Sequence, residues 1–176
     1  MDQHSKLGYR EGLVSVILNL LLFVLKYYAG IASASLALIA DAWHTLSDSL
    51  TSLVVILGIK LSSKKPDKEH PFGHGRVEYL SGLIVSAMIL VMGVELLRTS
   101  VKKIIHPETV DTSLVAFVVL IAAICVKLYM ASYNRKIGKK INSAAMKATA
   151  ADSLSDVVAT GVVFLSMLVT KFTGRN

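Results

Sequence analysis

The sequence predicts an all-α membrane protein, folded as a transmembrane helical bundle. Apolar residues make up 53% of its 176 residues and the mean hydropathy is +0.60, more apolar surface than one small soluble domain can bury. Apolar runs recur along the chain, and a helix needs about 20 such residues to cross a bilayer. In lipid, a helix satisfies its own backbone hydrogen bonds, and the short alternating strands of a barrel do not appear.

Five spans can be marked by their apolar content and by the polar segments between them. They run roughly over 12–30, 35–61, 79–101, 112–133 and 144–172. A short uncharged turn separates the first two. The later links read S-S-K-K-P-D-K-E-H-P-F-G-H-G-R, H-P-E-T-V-D and N-R-K-I-G-K-K-I-N, and we expect loops there.

The net charge of +7 comes largely from basic residues in the N-terminal tail and in two of the links. Lys and Arg concentrate in cytoplasmic loops, so we expect the N-terminus and both links in the cytoplasm and no nucleic-acid partner. The compact loops favour a prokaryotic plasma membrane. The residues are Lys6 and Arg10 in the tail, Lys64, Lys65, Lys68 and Arg76 after the second span, and Arg135, Lys136, Lys139 and Lys140 after the fourth.

Two predicted spans carry pairs of ionisable residues in otherwise apolar surroundings. His44 and Asp48 are four residues apart in the second span, and Asp152 and Asp156 are four apart in the fifth. Residues at this spacing share one face of a helix. An ionised side chain at the bilayer centre costs about 2.5 to 3.5 kcal/mol on insertion scales, which favours a functional site over chance placement.

If the two spans are neighbours, one imidazole and three carboxylates can converge. Such a set suits a divalent transition ion, and four ligands suit tetrahedral zinc. The ion would neutralise carboxylates that are costly to bury. Because ligands must lose their protons to bind metal, metal and protons would compete for one site, which is the physical basis of an antiporter.

A structural alternative exists for each of these acids. Lys26 in the first span and Lys127 in the fourth are possible ion-pair partners within the membrane. Asp41 precedes His44 by three residues and is interpreted as a supporting or helix-end residue, outside the ligand set. Asn19 is interpreted as a helix–helix hydrogen bond or as part of an ion pathway.

The combined motifs resemble the cation diffusion facilitator family. They are H-x-x-x-D in the second span, D-x-x-x-D in the fifth, H-P-F-G-H-G-R between the second and third, and A-S-L-A-L-I-A-D-A-W-H-T-L-S-D. The resemblance implies a homodimer that exchanges a divalent metal for protons by alternating access. By position, it implies a transport site made of His44, Asp48, Asp152 and Asp156.

The resemblance also implies a second metal site in some members, in the loop after the second helix. Asp67, His70 and His74 match that site by spacing, although H-P-F-G-H-G-R is also readable as a structural turn. Many zinc-transporting members have His where this chain has Asp152. The extra carboxylate favours manganese or iron, and His44 favours zinc. We rank Zn²⁺ first, with Mn²⁺, Fe²⁺, Co²⁺ and Cd²⁺ as alternatives.

The family usually has six helices and a cytoplasmic C-terminal domain, whereas this sequence ends at T-G-R-N. We therefore expect residues 1–176 to form a transmembrane domain with five of the six usual spans. The predicted function is divalent cation efflux, and the chain is predicted not to be an enzyme. An intramembrane metalloenzyme is one alternative, although neither H-E-x-x-H nor a Ser/His/Asp arrangement is present. A transport-inactive metal-binding fragment is the other.

Overall fold

Five long α-helices form the fold in the computed structural model, which describes residues 3–68, 70–105 and 113–173. The helices are α1 (Gln3–Ala32), α2 (Leu36–Ser62), α3 (Arg76–Ile105), α4 (Leu114–Lys140) and α5 (Ala144–Thr173). Each is long and apolar enough to cross a membrane, and no strand occurs within the described ranges. The prediction of an all-α, multi-pass membrane protein is confirmed.

Three helices, α1, α3 and α4, extend well beyond the predicted spans because polar residues continue them past the apolar core. α1 begins at Gln3 rather than near residue 12, and α4 continues to Lys140. The prediction of a loop over 134–142 was therefore wrong for most of its length, since only residues 141–143 form the turn. Lys and Arg are good helix formers, and cations in a last helical turn interact favourably with the helix dipole. The link H-P-E-T-V-D lies outside the described residues.

The helices pack in the cyclic order α1, α2, α3, α5, α4, so that α4 closes the bundle against α1. α2 and α5 are not adjacent in this order and contact each other much less. The prediction assumed that these two spans are neighbours. Instead they face each other across the bundle interior, and only side chains that project inward bring them together.

α1 and α2 approach each other closely at two glycines. A Cβ at Gly8 would lie 2.7 Å from the Ile59 side chain, and one at Gly12 would clash with Ile56. Their four-residue spacing is the small-residue pattern that allows close helix packing in membranes. Gly8 would also meet Ile141, so the start of α1 lies beside the end of α2 and the end of α4.

Two apolar clusters occupy opposite ends of the bundle. One contains Ala29, Leu38, Ala116, Phe117, Val119, Leu120 and Met167. The other contains Val55, Ile59, Val85, Ile137, Ala145 and Met146. Between them, the interior holds buried polar and charged side chains, including Asp48, Lys127 and Asp152. The packing therefore places an ionisable centre between two apolar ends.

Candidate metal site in the bundle interior

Three of the four predicted ligands converge in the bundle interior. Ligand atoms of His44, Asp48 and Asp156 all lie within 4.8 Å of one another. His44 Nδ1 lies 3.7 Å from Asp48 Oδ1, one helical turn along α2, and Asp156 reaches them from α5. Asp48 is buried, whereas His44 and Asp156 are partly buried. One imidazole and two carboxylates are three ligands of a kind that a divalent transition ion accepts.

Lys127 of α4 lies between the two carboxylates of this cluster. Its ammonium nitrogen is 2.6 Å from Asp48 Oδ2 and 2.6 Å from Asp156 Oδ2. Lys127 is the midpoint of α4, and Asp48 lies close to the midpoint of α2, so the contact is at mid-height of both helices. Asp48 Oδ1 has no hydrogen-bond partner among the described residues. The cluster therefore combines a bridging cation with an acceptor oxygen that is still available.

Asp152 lies outside the three-residue cluster although the sequence pairs it with Asp156. It is buried on α5, one turn before Asp156, and is only 6% exposed. Among the described residues, its ligand atoms do not meet the 4.8 Å spacing that His44, Asp48 and Asp156 share. Asp152 is thus close to Asp156 along the helix but outside the converging set, and its role in metal binding stays a prediction.

The second buried lysine has separate partners nearer the turn between α1 and α2. Lys26 Nζ is 2.8 Å from Asp41 Oδ2 and donates a 2.8 Å hydrogen bond to Thr45 Oγ1. Asp41 thus pairs with Lys26 and lies outside the three-residue cluster. Both lysines that the sequence offered as ion-pair partners do pair with acids of α2, and only Lys127 contacts predicted ligands.

A polar group that the sequence analysis missed lies toward the start of α1. The Ser15 hydroxyl is 2.7 Å from a Glu11 carboxylate oxygen and 3.3 Å from the Asn134 amide oxygen. All three residues are at most 2% exposed. Asn19 lies one turn further along, and its side-chain oxygen lacks a hydrogen-bond partner among the described residues. The repeated four-residue spacing was the available signal, but Glu11 precedes the predicted start of the first span.

The loop between α2 and α3 brings the other predicted residues together near the surface. His70 Nδ1 lies 3.4 Å from Asp67 Oδ1, His74 Nε2 lies 3.6 Å from Asp67 Oδ2, and the two imidazole centroids are 4.5 Å apart. The His70 backbone amide also donates to Asp67 Oδ1 at 2.7 Å. This hydrogen bond, with a smaller contribution from His74, lowers the pKa of the exposed Asp67 carboxyl.

The cation efflux transmembrane domain family matches the chain over residues 12–175. The chain belongs to this family. Its members are secondary transporters, which confirms both the resemblance to cation diffusion facilitators and the prediction that the chain is not an enzyme. The match includes every residue of the interior cluster and of the loop cluster.

Several curated relatives are similar over nearly the whole chain. An uncharacterized transporter of Methanocaldococcus jannaschii is 35% identical over 91% of the chain and 56% of its own length. The manganese efflux system protein MneS of Bacillus subtilis is 30% identical over 98% of the chain and 60% of its own length. The cation-efflux pump FieF of Cronobacter sakazakii is 29% identical over 95% of the chain and 56% of its own length. The chain thus spans less than two thirds of these relatives.

Proposed function

We propose that the chain forms the membrane part of an exporter that moves a divalent transition-metal ion out of the cytoplasm in exchange for protons. The observation that carries this proposal is the convergence of His44, Asp48 and Asp156 from two helices at 4.8 Å or less. Their position between two apolar clusters, at mid-height of the helices, is where transporters of other folds also bind their substrates.

In the proposed transport site, His44, Asp48 and Asp156 bind the ion, and Asp152 joins them as the fourth ligand when the site is loaded. Asp152 is buried on the same helix one turn from Asp156, which supports this role. Protons compete with metal for the same ligands, and binding them on the far side releases the ion. The loop residues Asp67, His70 and His74 form a second, more exposed metal site.

Mn²⁺ is the proposed cargo, ahead of the Zn²⁺ that the sequence alone ranked first. Carboxylate oxygens suit Mn²⁺, and three of the four proposed ligands are carboxylates. Two of the relatives are named manganese efflux system proteins, MneS and MneP of Bacillus subtilis, at 30% and 32% identity. Zn²⁺ is the second candidate because His44 supplies an imidazole nitrogen.

The proposed direction follows from basic residues at one end of the bundle. The start of α1, the end of α2 and the end of α4 meet around Gly8. Lys6, Lys60 and Lys140 belong to these segments, and Lys and Arg favour the cytoplasmic side. We assign this end to the cytoplasm of a prokaryotic plasma membrane. We also propose that residues 1–176 form a transmembrane domain, and that two copies pair as the family resemblance implies.

The test is metal flux into proteoliposomes under an imposed pH gradient, with Mn²⁺ and Zn²⁺ measured separately. The parent chain should carry Mn²⁺ faster than Zn²⁺, and Asp48→Asn should reduce both to the level of empty vesicles. Asp41→Asn is the matched control, because Asp41 is a carboxylate of the same helix that pairs with Lys26. Flux that persists in Asp48→Asn would refute the proposed site. Binding without flux in the parent would favour the transport-inactive alternative.

A further inference from the structure

Lys127 places a positive charge where the cargo would bind. Its ammonium is within 2.6 Å of one oxygen from Asp48 and one from Asp156, and the residue is only 4% exposed. The contact joins α4 to both helices that carry the proposed ligands. The ammonium therefore supplies in one group what a bound cation would supply, namely charge neutralisation and a bridge between two buried carboxylates.

The ammonium and a metal ion cannot hold these oxygens at the same time. A transition metal binds carboxylate oxygens at about 2.0 to 2.2 Å, which leaves no room for an ammonium in the bridging position. Lysine carries its charge on a flexible four-carbon stem, so the ammonium can swing aside without a backbone shift. A divalent ion held by His44, Asp48 and Asp156 through their other ligand atoms would still lie beside the ammonium. The repulsion between two cations this close in a buried site favours the exchange of one for the other.

We propose that Lys127 is a tethered cation that competes with the transported ion for Asp48 and Asp156, and thereby sets the affinity and the charge selectivity of the site. This inference rests on the proposed function. An incoming Na⁺ or K⁺ brings only the single charge that it displaces, whereas a divalent ion brings twice that charge. After release, the ammonium returns and neutralises the two carboxylates, so the empty site is not left with unpaired buried charges.

Lys26 provides a matched control for this inference. It is a second buried lysine, 3% exposed, and it also pairs with an acid of α2, at 2.8 Å from Asp41. Asp41, however, is outside the three-residue cluster of His44, Asp48 and Asp156. A general effect of removing a buried lysine should appear in Lys26→Met as well as in Lys127→Met. An effect on competition at the site should appear only in Lys127→Met.

The test is calorimetric titration of Mn²⁺ into the full chain in nanodiscs, at one pH, for the parent, Lys127→Met and Lys26→Met. All three carry His70→Ala and His74→Ala, so that the loop cluster adds no heat of its own. When the Lys127 ammonium occupies the carboxylates in most molecules, only the remaining fraction of sites can bind Mn²⁺, and the apparent affinity falls by that fraction. Lys127→Met removes this competitor and should therefore bind Mn²⁺ about 10- to 100-fold more tightly than the parent. Lys26→Met should bind like the parent. Replacing choline chloride with NaCl should weaken Mn²⁺ binding in Lys127→Met and leave the parent unchanged.

Each outcome has a separate meaning. Tighter binding in Lys127→Met, including binding in that variant when the parent binds none, supports the inference. Equal or weaker binding beside a parent that binds Mn²⁺ overturns the inference and leaves the proposed function intact. No binding in either chain overturns the proposed function and the inference with it.

A second measurement uses the parent chain and so does not depend on the folding of Lys127→Met. The ¹⁵N signals of the lysine ammonium groups are recorded with and without saturating Zn²⁺, which is diamagnetic. The Lys127 signal, assigned by its loss in Lys127→Arg, should move when Zn²⁺ binds, whereas the Lys26 signal should stay in place. A Lys127 signal that is unchanged at saturation would overturn the inference.

Discussion

The interior cluster and the loop cluster use similar residues in opposite surroundings. His44, Asp48 and Asp156 lie between apolar ends of the bundle, whereas Asp67 and His70 are each more than half exposed. In the interior, the acids are held by the Lys127 ammonium. In the loop, the acid is held by the His70 backbone amide and lies beside two imidazoles.

This difference shows why the interior cluster is stronger evidence for a metal site than the loop cluster, although both use His and Asp. Water solvates Asp67 and His70 whether or not a metal is bound, so their proximity costs little free energy. The segment that carries them also serves as a turn. Asp48 is buried and Asp156 is partly buried, so water solvates these acids much less, and a buried charge without a partner is strongly destabilising. The interior acids therefore need a compensating partner, and in this structure Lys127 supplies it. The predictions below test this contrast, beginning with the largest effect.

The largest expected difference is between Asp156→Asn and Asp67→Asn in Mn²⁺ flux. Asp156→Asn removes a charged interior ligand and one of the two oxygens that bind Lys127, so flux should fall at least about 100-fold. Asp67→Asn alters only the exposed loop and should change flux by less than about threefold. Initial rates in proteoliposomes, normalised to folded protein, measure both. Equal losses of Mn²⁺ flux in the two variants would show that transport depends on the loop cluster as much as on the interior cluster.

An intermediate effect is expected for Asp152→Asn. Asp152 is buried but lies outside the three-residue cluster, so it is proposed to complete the site only when metal is bound. The variant should bind Mn²⁺ about tenfold more weakly while keeping detectable flux. Ser155→Ala, an exposed position on the same helix, is the control. Complete loss of Mn²⁺ binding would instead show that Asp152 is as essential a ligand as Asp48. Unchanged binding would exclude Asp152 from the ligand set.

The helices and part of the site could be predicted from the sequence because they depend on local patterns. Long apolar runs fix the number of helices, and four-residue spacing fixes which side chains share a face. The helix ends could not be predicted as well, because residues 134–140 are mostly polar yet remain helical. The bridging role of Lys127 depends on which helices converge in the bundle. Spacing along one helix does not show which helices converge, so the sequence identifies Lys127 only as a possible ion-pair partner of the intramembrane acids.

A smaller effect is expected when both loop imidazoles are removed. If the loop cluster binds metal, the parent should bind two Mn²⁺ per chain in calorimetry, one more weakly because exposed ligands must compete with water. The double variant His70→Ala with His74→Ala should lose the weaker site and keep the tighter one. Flux should change by less than about threefold, in contrast with Asp156→Asn. A stoichiometry of one in the parent would identify the loop cluster as a turn without metal.

The smallest expected effect is the titration of the loop carboxyl. The hydrogen bond from the His70 amide lowers the pKa of Asp67 in the folded chain, so the charged form stabilises the loop. That contribution is fully present above the usual aspartate value of about 3.9 and is lost as the pH falls through the lower folded value. The ¹⁵N shift of the His70 amide, followed from pH 6 downward without metal, should therefore titrate below that usual value. A midpoint at or above it would show that this hydrogen bond does not hold the loop together.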